Sequence, residues 1–156
     1  MTNAKKLAAV FAVIFFCAAG DAAFSQTAEE MDGLLSAESV TYEQAAWFIL
    51  RAVETPGISN PAAAFNYAAS RRWLPAKAAP DSRAKLNGIA LLIMQSGDLK
   101  GGLMYTLTKS PRYAYRELRY LNIIQGRTDP QMAVSGDMLF FMASLLLEAR
   151  GGSDEE

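Results

Sequence analysis

Residues 60–76 read NPAAAFNYAASRRWLPA, and residues 110–126 read SPRYAYRELRYLNIIQG. Each stretch opens on a small polar residue followed by proline. Asn60 and Ser110 are helix N-cap types, and Pro61 and Pro111 suit the first helical position, where the missing N–H has no intrahelical partner to lose. An aromatic residue follows (Phe65, Tyr115), then an apolar one on the same face (Ala68, Leu118), then an apolar pair (Trp73-Leu74, Ile123-Ile124). A constant offset of 50 carries one stretch onto the other. Such a match predicts a repeated helical unit.

Outward from this pair, each unit continues into a turn-rich loop and a second helix. With three extra residues allowed in the later loop, Ser82 falls on Ser135, Leu86 on Leu139 and Ile89 on Met142, at an offset of 53. Ser82 and Ser135 are then expected to cap the second helices. The first such helix has no complete partner. Thr41-Tyr42-Glu43-Gln44 is a capping box, in which the Thr hydroxyl and the Gln side chain each satisfy a free backbone N–H. Thr41, Ala45 and Phe48 align with Ser82, Leu86 and Ile89.

The remaining signals are helical too. Ala45, Phe48, Ile49 and Ala52 recur at helical spacing before Pro56-Gly57. Leu86, Ile89, Ala90, Ile93 and Met94 form the most apolar stretch of the mature chain and end at Ser96-Gly97. Met138, Leu139, Met142, Leu145 and Leu146 form the stripe of a last helix that Gly151-Gly152 ends. Met31, Leu34 and Leu35 mark a short helix near 28–35. Leu103-Met104-Tyr105-Thr106-Leu107 reads as a short helix or an extended link. The expected fold is all-α: tandem helical-pair modules, about 28–57, 58–97 and 108–150, in one compact array over 26–150, with residues 151–156 as a disordered acidic tail.

Residues 1–25 read as a secretory signal peptide. Lys5 and Lys6 precede the apolar run 7–19, which is too short for a usual membrane span, and Ala23-Phe24-Ser25 offers a cleavage site. Phe15 and Phe16 are too bulky for a lipoprotein box, so Cys17 is read as an apolar residue of the leader. Cleavage leaves 131 residues with a net charge of −2, no cysteine and no histidine. Such a chain has no disulfide framework, no histidine general base and little with which to ligate zinc. Its near-neutral charge speaks against nucleic acid as a partner. No cofactor is implied. The expected location is the periplasm or cell envelope, without a transmembrane helix in the mature chain.

The order helix, apolar exit, loop and capped helix resembles the S-layer homology modules. Tyr113-Ala114-Tyr115, the run Leu121 to Gly126, and Ser135 follow that family's sequence of features. Ser82-Arg83-Ala84-Lys85 is similar to its Thr-Arg-Ala-Glu cap in three of four positions. The resemblance implies modules that attach exported proteins to a cell-wall polymer, with the cap arginine binding acidic sugar. That arginine is carried here by Arg83, whose counterparts are Tyr42 and Gly136. The motif glutamate falls on Gln44, Lys85 and Met138.

One surface stands out from the residues alone. The segment from Lys109 to Arg127 has five basic side chains against Glu117, a local net of +4. Arg112, Arg116 and Arg119 share a helical face, Arg127 follows, and Tyr113 and Tyr120 can stack on a sugar or lie against a partner. Arg71-Arg72-Trp73 is a smaller version in the earlier copy. These residues are the expected contacts for an envelope or flagellar protein, a lipid headgroup or an acidic cell-wall glycan, in a non-enzymatic binding or structural protein. Two alternatives remain. One is a small wall-modifying hydrolase built from scattered carboxylates (Asp81, Asp98, Glu117, Asp129, Asp137). The other is a lipid- or chaperone-like carrier with a cavity lined by Met94, Leu103, Met104, Met138 and Met142.

Overall fold

The computed structural model describes residues 28–151. Residues 1–27, with the segment read as a leader and Cys17, and the acidic residues beyond 151 lie outside the described residues. The chain divides into two compact units, Met1–Leu35 and Ser36–Glu156. Helix α1 (28–35) is the described part of the first. The second holds α2 (Tyr42–Ala52), α3 (Pro61–Ser70), α4 (Leu86–Ser96), α5 (Leu103–Thr108), α6 (Pro111–Tyr120) and α7 (Gly136–Gly151). Among the described residues the only strand-like pairing is two isolated bridges, Thr41 with Arg83 and Lys85 with Ala133. The fold is all-α.

The second unit is a helical repeat joined by its backbone. The residues just before α2, α4 and α7 close a ring. The N–H of Val40 donates to the carbonyl of Val134 at 2.8 Å, that of Val134 to Ala84 at 3.0 Å, and that of Ala84 to Val40 at 2.9 Å. All three residues are fully buried. Three donors and three acceptors that could not reach water are thereby satisfied. Val40, Ala84 and Val134 are thus equivalent positions, and so are Tyr42, Leu86 and Gly136, which open the three helices.

This equivalence corrects the sequence alignment. From Leu86 to Gly136 the offset is 50, the same as between the outer helices α3 and α6. No three-residue insertion enters the later loop. Trp73 and Ile123 both donate to the helix before them (to Ala68 and Leu118), and Ser82 and Met132 both close a turn (onto Ala79 and Asp129), again 50 apart. The N-cap of α4 is Lys85, without a side-chain cap bond. Ser82 instead folds back on Ala79, its Oγ donating to the carbonyl at 2.8 Å and accepting from the N–H at 3.1 Å.

Between α2 and α4 the offset is 44. Glu54 and Asp98, 44 apart, both take left-handed backbone (φ 56° and 51°) just past their helices. The step from 44 to 50 is six residues, the length of α5. Helix α5 is therefore an insertion in the link that leads to α6.

Two caps follow the sequence, while Ser110 stands at the N-cap of α6 without a side-chain cap bond. Thr41 and Gln44 form the full capping box, at 3.2 and 2.9 Å. Asn60 Oδ1 accepts from the Ala63 N–H at 2.8 Å. Helix α3 packs on α2, α6 packs on α4, and α2 also meets α4 and α7. Helix α4 is the centre: Leu86 and every residue from Gly88 to Met94 are buried. That is why its sequence is apolar all round. The phenol of Tyr42 lies against Gly88, where an added Cβ would sit 2.4 Å from the hydroxyl oxygen.

Candidate functional site

Helix α6 has one buried face and one basic face. Ala114, Tyr115 and Leu118 turn inward against α4. The Tyr115 hydroxyl donates to the Thr128 carbonyl at 2.8 Å, which fixes the exit loop to the helix. On the other side Arg112, Arg116 and Arg119 are exposed, as is Arg127 in the loop. None of the four makes an ion pair among the described residues. Tyr113 is half-buried, with the Arg116 guanidinium 5.9 Å from its ring centre. Tyr120 is 83% exposed. The structure therefore gathers Arg112, Arg116 and Arg119 on one surface, with Tyr113 and Tyr120 beside them.

Arg71, Arg72 and Trp73 belong to a different helix pair, at the end of α3. The Arg71 guanidinium lies 4.5 Å from the ring centre of Tyr67 and 5.5 Å from that of Trp73. The two rings meet edge to face at 5.6 Å. Trp73 is thus half-buried in a local aromatic cluster. Arg72 has left-handed backbone, φ 60°, and is exposed. Arg83 is exposed in the bridge opposite Thr41, two residues before the N-cap of α4. The residues that follow the three N-caps are Tyr42, Leu86 and Gly136. The cap-arginine role assigned to Arg83 thereby loses its positional basis, because Leu86 occupies that place.

Sequence reasoning missed the surface next to α6. Helix α5 is held by Tyr105, which is buried and whose hydroxyl accepts from Gln95 Nε2 at 2.7 Å. Burial is the main reason its ionisation is pushed up to about 12, with Asp98 and Glu117 adding and the Gln95 bond opposing. The opposite side of α5 is apolar and bare: Leu103 is 74% and Leu107 71% exposed. Their i, i+4 spacing was visible, but a six-residue segment gives too little periodicity to tell an inward stripe from an outward one.

A groove of about 380 Å³ runs beside α7, lined by Ile123, Ile124, Thr128, Asp137, Met138 and Phe141 among others. Its lining includes one carboxylate, Asp137. The Ser135 hydroxyl donates to that carboxylate and, with the Met138 N–H, holds its pKa below the usual aspartate range. Among the described residues no group of three or more Cys, Asp or Glu side chains could hold a metal ion. The five residues expected to line a carrier cavity separate. Met138 and Met142 border the groove, Met94 is in the core, and Leu103 and Met104 are exposed on α5. No helix among the described residues is long and apolar enough to cross a membrane.

Scans against protein-family models, curated proteins and solved structures return no match.

Proposed function

We propose that this chain is a non-enzymatic binding and structural module of the cell envelope, and that the exposed face of α6 holds an anionic partner there. One observation carries the reading. Helices α3 and α6 are equivalent copies, yet only α6 sets three guanidinium groups on its outer face, none in an ion pair among the described residues. The matching positions on α3 are Ala62, Asn66 and Ala69. Folding needs no arginine there, since α3 adopts the same helix without them. Guanidinium groups match carboxylate and phosphate oxygens in a planar, two-bond geometry.

Export rests on the leader-like character of residues 1–25. The likeness to S-layer homology modules is supported by three equivalent helices whose starts are joined at one backbone ring. Its wall-glycan chemistry does not transfer position by position, because Tyr42, Leu86 and Gly136 follow the caps. The proposed contact set is therefore Arg112, Arg116, Arg119 and the neighbouring Tyr120.

The test is envelope retention of the triple variant Arg112→Gln, Arg116→Gln, Arg119→Gln, before and after peptidoglycan digestion. Retention is expected to fall about tenfold or more, with stability within about 0.5 kcal/mol of the parent because the sites are exposed. Unchanged retention sinks the arginine face as the contact.

A further inference from the structure

We infer that α5 and the basic face of α6 together dock on an anionic lipid bilayer, with Leu103 and Leu107 entering the headgroup boundary. The inference rests on the reading of α6 as an anion-binding face and names the source of the anions.

Helix α5 is absent from the equivalent link between α2 and α3, so the repeat closes without it. It is nevertheless firmly held. Tyr105 is buried beneath it, and Gly101 gives way to that ring, since a Cβ there would lie 2.4 Å from its Cδ1. Lys109 ends the helix in left-handed backbone, its N–H donating to the Tyr105 carbonyl at 2.7 Å and its ammonium 4.8 Å from the Tyr105 ring centre. This inserted segment gives the core one side chain, Tyr105, and turns two leucines to solvent. Large aliphatic side chains exposed side by side mark an interaction surface.

The charge around them selects the partner. From Asp98 to Asp129 the chain carries Lys100, Lys109, Arg112, Arg116, Arg119 and Arg127 against Asp98, Glu117 and Asp129, a net of +3. Glu117 is half-buried against Gly102, so this acid turns toward the base of α5. Exposed aliphatic side chains on a helix that packs on a basic one, itself ending in an exposed tyrosine, are the chemistry of an interfacial anchor. The apolar groups enter the acyl boundary while the cations meet headgroup phosphates. A soluble glycan offers nothing to Leu103 and Leu107. An acidic protein would need an apolar cleft of matching shape.

The test uses the full chain and vesicles of phosphatidylcholine with and without phosphatidylglycerol. The apolar run 7–19 is common to all variants, so the readout is placed on α5. In Leu107→Trp, brominated lipid is expected to quench the added tryptophan emission on the anionic vesicles. The double variant Leu103→Ser, Leu107→Ser is expected to bind those vesicles at least about tenfold more weakly, with an unchanged melting temperature because both sites are exposed. Each arginine neutralised on α6 should cost about fivefold. An unquenched tryptophan, or a double variant that binds like the parent, overturns the lipid assignment. If the arginine variant still loses envelope retention in that case, the partner is a protein or a wall glycan and the α6 reading stands. If it does not, both readings fail together.

Discussion

The segments that run from α3 into α4 and from α6 into α7 have one backbone plan and two surfaces. Both start on a proline, cross a left-handed residue (Arg72 at φ 60°, Asn122 at φ 58°) and re-enter a helix after the same number of residues. At one shared buried position they differ only in bulk: Ala68 in one, Leu118 in the other, both fully buried. Their exposed positions differ in kind, alanines and an asparagine against arginines. The comparison separates what the repeat needs from what one copy has added. Burial pattern and turns are common property, whereas the arginines on the outer face of the helix, and the neighbouring α5, belong to the second copy alone.

The strongest way to break the comparison is through the shared buried position. Leu118→Ala gives α6 the residue that α3 already has. It should cost about 2–5 kcal/mol, because the walls around Leu118 are shaped for leucine and collapse only in part. Ala68→Leu should also destabilise, by about 1–3 kcal/mol, through overpacking against α2. Urea unfolding measures both. A Leu118→Ala variant as stable as the parent would mean that the two outer helices sit in interchangeable sockets and that shape at this position is not specified.

The caps sharpen the comparison at a smaller scale and show what the sequence can reveal. Thr41→Ala removes half of the capping box and should cost about 1 kcal/mol. Lys85→Ser, at the equivalent position without a side-chain cap, should be neutral or slightly stabilising, by a few tenths of a kcal/mol. Thermal melts that rank the two in reverse would contradict the assigned equivalence. Thr41–Gln44 and Asn60 were legible because each cap is a bond between residues three apart. The start of α4 was not. Its first N–H groups are satisfied from another loop, Leu86 donating to the Met132 carbonyl at 3.0 Å and Asn87 to Pro130 at 2.9 Å. No local residue announces such a start, so Ser82, a good cap type in a plausible place, drew the boundary three residues early. The same holds for the candidate site. The arginines of α6 could be placed on one face from spacing alone. The outward turn of Leu103 and Leu107 depends on Tyr105 finding Gln95 across the link, which spacing does not encode.

The smallest effect probes α5 itself, the element without a counterpart. Folding raises the Tyr105 pKa from about 10, its usual value in an unfolded chain, to about 12, chiefly by burial. The proton is held more tightly in the folded state. Below pH 10 both states are protonated and the contribution to stability is complete. Between pH 10 and 12 the unfolded chain ionises first, so stability falls as the pH rises through this window. Tyr42, also raised by burial, adds to the same trend in the body of the repeat. Tyr105→Phe removes the α5 share and leaves that of Tyr42. Its unfolding free energy should therefore fall less steeply from pH 10 to 12 than that of the parent, although it starts lower at pH 8 for want of the bond to Gln95. Parallel slopes would show that the Tyr105 hydroxyl meets solvent, and the anchor that turns the leucines outward would then be looser than its 2.7 Å contact with Gln95 implies.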